Sequence, residues 1–399
     1  MRAQSERSSG RELFVRSVSG MLALSVLACG RIDPAAPSSG QVAAGREVFR
    51  YDTFGDEQFW TDTLHLERVI ATAVDPTTAL GVGLKVDMDA LPPEVVQGIQ
   101  QGKVDLKSPA TTVTLLKLNA VVGVRGEVRS VNGRDTLSRV GVTCALCHST
   151  VDDAFAKGIG HRRDGWPNRD LNVGAIIALS PAVPAAARQV YGSWGPGKYD
   201  PRYNIDGQNT PLVIPPAYGL ARVRNETYTA EGPISYWNAY VAVTQMHGRG
   251  NFSDPRLPLT VVQTPDLVTP KLAALRDYQH SLDAPAIAAG SVDAGAAARG
   301  QLVFDARCAS CHVSATLTDN NGGVLHEPAE TGMDPRYALR TSQKRYRTTP
   351  LRGLWQHAPY FHDGSAATLG DVVEHYDSAR RLGLSAQQKA DLVSYLRTL

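Results

Sequence analysis

The chain predicts a mainly α protein of two similar modules, each made of short helices joined by long ordered loops, with an insertion in the first. Three observations carry that expectation. The pattern Cys-x-x-Cys-His occurs twice, as Cys144-Ala145-Leu146-Cys147-His148 and as Cys308-Ala309-Ser310-Cys311-His312. The phrase Ala44-Gly45-Arg46-Glu47-Val48-Phe49 is echoed by Arg299-Gly300-Gln301-Leu302-Val303-Phe304, which directly precedes the second pattern. Finally, Ser385 to Leu399 starts on a capping serine and places Leu392, Val393 and Leu396 on one helix face.

The repeated pattern is the one by which a polypeptide takes up a covalent c-type haem. Two thiols reach the two vinyl groups on one porphyrin edge, and the histidine that follows turns under the ring to bind iron. Two such patterns predict two haems, attached through Cys144, Cys147, Cys308 and Cys311, with His148 and His312 as iron ligands. A zinc site made of the two Cys pairs is the alternative. It does not explain why each pair is followed at once by histidine, and every cysteine except Cys29 lies in these two motifs.

The elements follow in order. Residues 1–28 read as an export signal, charged up to Arg16 and apolar from Met21 to Ala28. The apolar run is too short to span a membrane. Cys29 resembles the lipidated cysteine of a bacterial lipoprotein signal, although Leu27 fits that pattern less well. Residues 29–40, with Pro34, Pro37, Ser38 and Ser39, have the composition of a tether. The first module is expected over 41–282, a linker rich in Ala, Gly and Ser over 283–297, and the second module over 298–399. Within the first, the apolar stretch Thr112 to Val128, with Gly123 and Gly126, suggests a short hairpin in an insertion of unknown role. Trp194 to about Pro258 shows little helical periodicity and is expected to be ordered loop. Leu272 to Leu282 looks helical.

The reactivity of a haem depends on its sixth iron ligand. For the first haem the candidate is His161, in Gly158-Ile159-Gly160-His161, with a surface histidine beside Arg162 and Arg163 as the alternative. For the second, Met333, His357, His362, His375 and Tyr376 all remain open on spacing alone. Arg347 and Arg352 are candidate partners of haem propionates through forked hydrogen bonds, against solvated arginines.

The run Thr349-Pro350-Leu351-Arg352-Gly353-Leu354, then Ala358-Pro359-Tyr360-Phe361-His362-Asp363-Gly364-Ser365, then Thr368-Leu369 and Val372-Val373, resembles the C-terminal signature of the bacterial di-haem cytochrome c peroxidase/MauG superfamily. The resemblance implies that Tyr376 ligates the second haem, since MauG-like proteins carry tyrosine where the peroxidases usually carry methionine. It makes His362 a catalytic pocket residue and not a ligand. Gly158 to His161 followed by Trp166-Pro167-Asn168-Arg169 resembles the peroxidase segment that donates a removable histidine. Ser193-Trp194-Gly195-Pro196-Gly197 resembles a region of RoxA-like di-haem cytochromes in which a tryptophan lies between the haems, which makes Trp194 the candidate electron relay. A Ca2+ ion is a further option carried by the resemblance, through Asn168 or Asn172. The peroxidase loop bearing a catalytic glutamate is not reproduced, so Glu226, Glu231, Gln245 and His247 remain available groups without an assigned role.

With 399 residues and a formal charge of +2, the chain has room for two or three cores and no electrostatic argument for nucleic acid. The expected function is that of an exported oxidoreductase, reactive toward peroxide or oxygen at one haem while the other stores or delivers electrons. A non-catalytic electron-transfer cytochrome is the alternative. The expected partners are a small redox protein or quinol-linked electron donor. The expected place is the periplasm or the outer membrane, with membrane contact only through a lipid anchor.

Overall fold

A computed structural model describes residues 37–399 with the exception of Ser314. The expected signal peptide, Cys29 and most of the tether lie outside the described residues. The architecture is mainly α, and the five sheets among the described residues have two strands each. None of the described helices is long and apolar enough to cross a membrane.

The sequence echo corresponds to two equivalent helix crossings. The helix Ser39–Tyr51 is capped by Ser38, whose hydroxyl accepts the Gln41 N–H, and it packs on Leu272–His280. The helix Ala294–Arg307 is capped by Asp293, which accepts the Ala296 N–H, and it packs on Ala386–Leu396. At each crossing the echoed glycine marks the closest approach. A Cβ on Gly45 would lie 1.9 Å from the Ala274 carbonyl oxygen, and one on Gly300 would lie 1.9 Å from that of Asp391. One turn later an echoed phenylalanine meets a tyrosine of the partner helix. Phe49 lies 5.5 Å from Tyr278 and Phe304 lies 5.2 Å from Tyr395, ring centre to ring centre. Burying each phenylalanine contributes about 1.5–3 kcal/mol.

Ser385 caps the last helix through a reciprocal pair with Gln388, and Leu392 and Leu396 are buried as their spacing demands. The hydrophobic residues gather into one core from Phe49 to Tyr278 and a second from Phe304 to Leu396. A small third cluster joins Leu212 of the first half to Tyr337, Ala338 and Tyr346 of the second.

Two local expectations need correction. The stretch from Thr112 is not a hairpin at its start. Pro109–Lys117 is a helix with Pro109 in its first turn and Val113, Leu115 and Leu116 buried. The hairpin comes after it, pairing Val124–Val131 with Arg134–Val142 around Asn132 and Gly133, both at positive φ. That Asn-Gly pair matches the twist of a two-residue hairpin turn, a stronger signal than the glycines further back. The stretch after Trp194 is not all loop either, because Ile234–Thr244 is a helix. It shows no amphipathic period because Trp237, Tyr240, Ala242, Val243 and Thr244 bury most of its circumference.

Candidate haem site

The hairpin of the insertion delivers the first motif. Its second strand ends at Val142, the Thr143 N–H donates to the Gly123 carbonyl at 2.9 Å, and Cys144 opens the one-turn helix Ala145–His148. Gly123, at φ +78°, lies so close that a Cβ would sit 2.1 Å from the Leu146 nitrogen. Only glycine supports both that backbone and that approach. The second motif instead follows directly on the helix Ala294–Arg307, with Cys308 as its C-cap.

Both motif histidines are oriented in the same way. His148 Nδ1 lies 3.0 Å from the Pro215 carbonyl and His312 Nδ1 lies 3.0 Å from that of Leu317. A carbonyl can only accept, so Nδ1 carries the proton and Nε2 keeps its lone pair for a metal. Burial lowers both imidazoles, His148 to about 4, which keeps them neutral as ligands must be. The four motif cysteines form no disulfide. Burial pushes the Cys144 and Cys147 thiols up to about 12, so they are not free reactive thiolates.

Cys144, Cys147, His148, Cys308, Cys311 and His312 all line one cavity of about 490 Å³. Its wall is mostly apolar, including Val173, Ile177, Leu354 and Val373, as a porphyrin face requires. Five arginines line the same wall, Arg169, Arg307, Arg347, Arg352 and Arg380. Arg347 donates to the Asn225 carbonyl and to Glu226 Oε2, and Arg352 donates to the Gly219 and Ala221 carbonyls. Arg169, which the sequence reading did not single out, donates to the Ile214 and His357 carbonyls. The Nε of Arg169 and the Nε of Arg347 are buried without a partner. Glu226 is the one carboxylate among the described residues lining the cavity. An apolar slot with surplus guanidinium charge and orphaned donors fits haem, whose ring is apolar and whose propionates are anionic. His148 and His312 would hold the iron, the cysteines the vinyl carbons, and the arginines the propionates.

The remaining expected residues separate clearly. Tyr376, Met333, His357 and His362 line the cavity, whereas His375 does not and spends Nε2 on the Thr331 carbonyl at 2.8 Å. Tyr376 stands on the helix Leu369–Arg380, and burial raises its phenol to about 12. His362 Nε2 lies 3.1 Å from the Tyr346 hydroxyl. That hydroxyl gives its own proton to the Asp334 carbonyl at 2.7 Å, so His362 is the donor in the pair and its Nδ1 is left as an acceptor.

His161 does not reach the cavity. Its side chain is half exposed and its Nδ1 lies 2.8 Å from Asp89 Oδ1. The alternation of extended chain explains this, since Gly160 is buried and the Arg162 side chain turns inward to Asp87 at 3.0 Å, which leaves His161 facing out. The expectation that it caps the first haem is therefore corrected. A histidine of the first half that does line the cavity, besides His148, is His247. It lines the cavity with Met246, lies 3.7 Å from the Phe59 ring centre in a stacked arrangement, and has its backbone at φ +63°.

Trp194 stands behind the cavity wall, in contact with Tyr191 and Tyr199 that line it. It is buried in a cluster with Tyr191, Tyr199 and Tyr203 at 5.0–6.0 Å, donates Nε1 to Asn209 Oδ1 at 2.9 Å, and does not line the cavity. Aromatic contacts that bridge the two halves pair Trp166 with Trp355 at 5.8 Å, Tyr218 with His357 at 6.1 Å and Tyr228 with His362 at 6.2 Å.

Known proteins sharpen this picture. Residues 297–399 match the cytochrome c family. The MauG methylamine utilization protein of Methylophilus methylotrophus is 29% identical over 121 residues, 26% of this chain and 36% of that protein. The MauG protein of Methylorubrum extorquens is 29% identical over 160 residues, 32% of this chain and 43% of that protein. The match thus spans less than half the length of either relative. Among solved structures, a hydrazine synthase of Kuenenia stuttgartiensis superposes with a TM-score of 0.35 at 20% identity, over 48% of this chain and 73% of the other. A MauG-like protein associated with microbial copper homeostasis gives 0.34 at 19%, over 48% and 74%. Residues 297–399 therefore match a cytochrome c domain, and the haem-attachment pattern Cys308-Ala309-Ser310-Cys311-His312 lies within the matched segment. The chain is thus similar to MauG proteins over 26–32% of its length.

Proposed function

We propose that the chain is an exported di-haem c-type cytochrome that acts as an oxidoreductase, with one haem open to peroxide or oxygen and the other storing or delivering electrons. The observation that carries the reading is the single cavity reached by both Cys-x-x-Cys-His motifs. When bound, haem supplies an iron centre that exchanges single electrons, and two in one chain suit two-electron chemistry. The protein's own contribution is to present His148 and His312 as neutral ligands, to hold propionate charge with Arg169, Arg347 and Arg352, and to exclude water with an apolar wall. Tyr376 would supply a hard oxygen donor to the second haem, which would favour the oxidised states of iron. His362, its Nε2–H held by the Tyr346 hydroxyl, offers an acceptor nitrogen in the same wall.

Calcium belongs to this proposal through Asn168 alone. Its Oδ1 is buried without a partner, whereas Asn172 spends Oδ1 capping the helix Val173–Ala178. Export, a lipid anchor at Cys29 and a small redox or quinol-linked donor complete the reading.

A plain electron carrier is the second reading, favoured by the side chains available as sixth ligands: His247 and Met246 of the first half, Tyr376 and Met333 of the second. Peroxide titration of the fully ferric and half-reduced protein separates the two. Haem spectra that change in either state support the oxidoreductase; spectra unchanged in both leave the electron carrier.

A further inference from the structure

Glu226 is the cavity's lone carboxylate among the described residues, and nothing in its surroundings spends it fully. Oε1 is buried with no hydrogen-bond partner, and Oε2 meets the Arg347 guanidinium at a long 3.3 Å. The next residue, Thr227, has φ +63° and a buried hydroxyl that is also unpartnered. The backbone around the carboxyl is pinned, since the Glu226 N–H donates to the Gly232 carbonyl at 2.8 Å. Glu231, five residues on, shows the contrast: it is locked onto Arg202, accepts the Thr229 hydroxyl, and does not line the cavity. A satisfied carboxylate holds the fold, whereas a half-satisfied one in an apolar wall can change its proton at small structural cost.

We propose that Glu226 is the proton-exchanging group of the haem cavity, taking up one proton from solvent when one electron enters from a small redox donor and releasing it on reoxidation. The inference rests on the haem-redox reading of the cavity. The balance is simple. The electron adds one negative charge at the haem, the proton converts the Glu226 carboxylate to the carboxylic acid, and the charge of the cavity is unchanged. In a low-dielectric wall that compensation is strongly favoured over an uncompensated charge.

The charged groups facing Glu226 are Arg347 and Arg352 from the opposite segment, with Arg222 of its own segment acting on Arg352. Tyr228, two residues on, gives its proton to the Val213 carbonyl at 3.1 Å and burial keeps it neutral. Burial pushes the Glu226 carboxyl up to about 7, with Arg347 and then Arg352 pulling it down. Arg347 couples the carboxyl to the haem site, because it touches Glu226 and lines the cavity.

The test is a spectroelectrochemical titration of the full-length holoprotein between about pH 5 and pH 9, the range over which such a group changes its proton. In the parent, the midpoint potential of one haem falls as pH rises through neutrality, because the ionised carboxylate favours the oxidised state. Glu226→Gln holds the high, acid-side potential throughout, and Glu226→Asp restores a pH dependence. A Gln variant with the parental slope, or a parent with no slope near neutrality, overturns the proposal. The absence of any reversible haem couple instead overturns the redox reading beneath it. Redox-difference infrared spectra give a check on the parent alone: reduction raises a protonated-carboxyl band that shifts in D2O, and the absence of such a band also overturns the proposal.

Discussion

The two halves of the molecule solve one packing problem twice and then part company. Gly45 with Phe49 and Gly300 with Phe304 make the same crossing against a partner helix whose backbone and tyrosine stand four residues apart, Ala274 with Tyr278 and Asp391 with Tyr395. Phe304 is followed four residues later by Cys308, so in the second half the opening helix itself delivers the haem motif. In the first half, helices and a hairpin intervene between Phe49 and Cys144. A repeated module can thus present its motif directly or through an inserted element, provided the crossing of opening and closing helices is kept. The insertion gives the first motif its own supports, Gly123 under Leu146 and the buried Asp56 beneath the hairpin.

If the crossings are equivalent, they should break alike. Gly45→Leu and Gly300→Leu each drive side-chain atoms into a backbone carbonyl, and each should cost about 3 kcal/mol or more in denaturant unfolding. A glycine that tolerated leucine would show its crossing to be loose and the repeat superficial.

Asp56 sharpens the difference between the halves. Burial raises its carboxyl to about 9, with Glu57 adding to the rise and the Val142 N–H opposing it. The folded chain therefore holds a proton there that the unfolded chain gives up above about pH 4, so this site makes stability fall as pH rises between those values. Asp56→Asn should remove that loss. Its advantage over the parent should grow by at most about 1.4 kcal/mol per pH unit within the window. A variant whose stability runs parallel to the parent's from pH 5 to about pH 8 would mean that Asp56 is ionised in the fold.

Ligand variants follow, read by spectroscopy. Tyr376→Met should change the ligand-field signature of the second haem and leave the first as it was. His247→Ala should alter the first haem and leave the second, whereas His161→Ala should alter neither. Equal spectra for the His247 variant and the parent would remove His247 from the iron's surroundings. The smallest effect is expected at Asn168, which donates to the Gly83 carbonyl at 2.9 Å. Asn168→Ala should cost about 1–2 kcal/mol in thermal unfolding without moving either spectrum.

The parts legible in the sequence were those written locally. A Cys-x-x-Cys-His motif states its chemistry within five residues, and Ser385 with Gln388 and the leucines that follow state a helix and its start. The echo around Gly45 and Gly300 was visible too, although its reason, two helices touching at a missing Cβ, lies in partners more than 90 residues away at both crossings. What was not legible is what distant segments bring together. Arg169 joins Arg347 and Arg352 in one wall, and Glu226, which lines the cavity with one oxygen unpartnered, differs from Glu231, which is locked onto Arg202 away from it. His161 failed because nearness in sequence to the first motif says nothing about which side of a short strand a residue faces. Trp194 lies one layer behind the cavity lining, among tyrosines that its own phrase does not name.

The most direct test of the account counts the haems, by intact mass of the mature holoprotein beside its two motif variants. Two covalent haems in the parent, and one each in Cys144→Ala/Cys147→Ala and Cys308→Ala/Cys311→Ala, is the predicted result. A single haem in the parent, lost entirely with either motif, would contradict it.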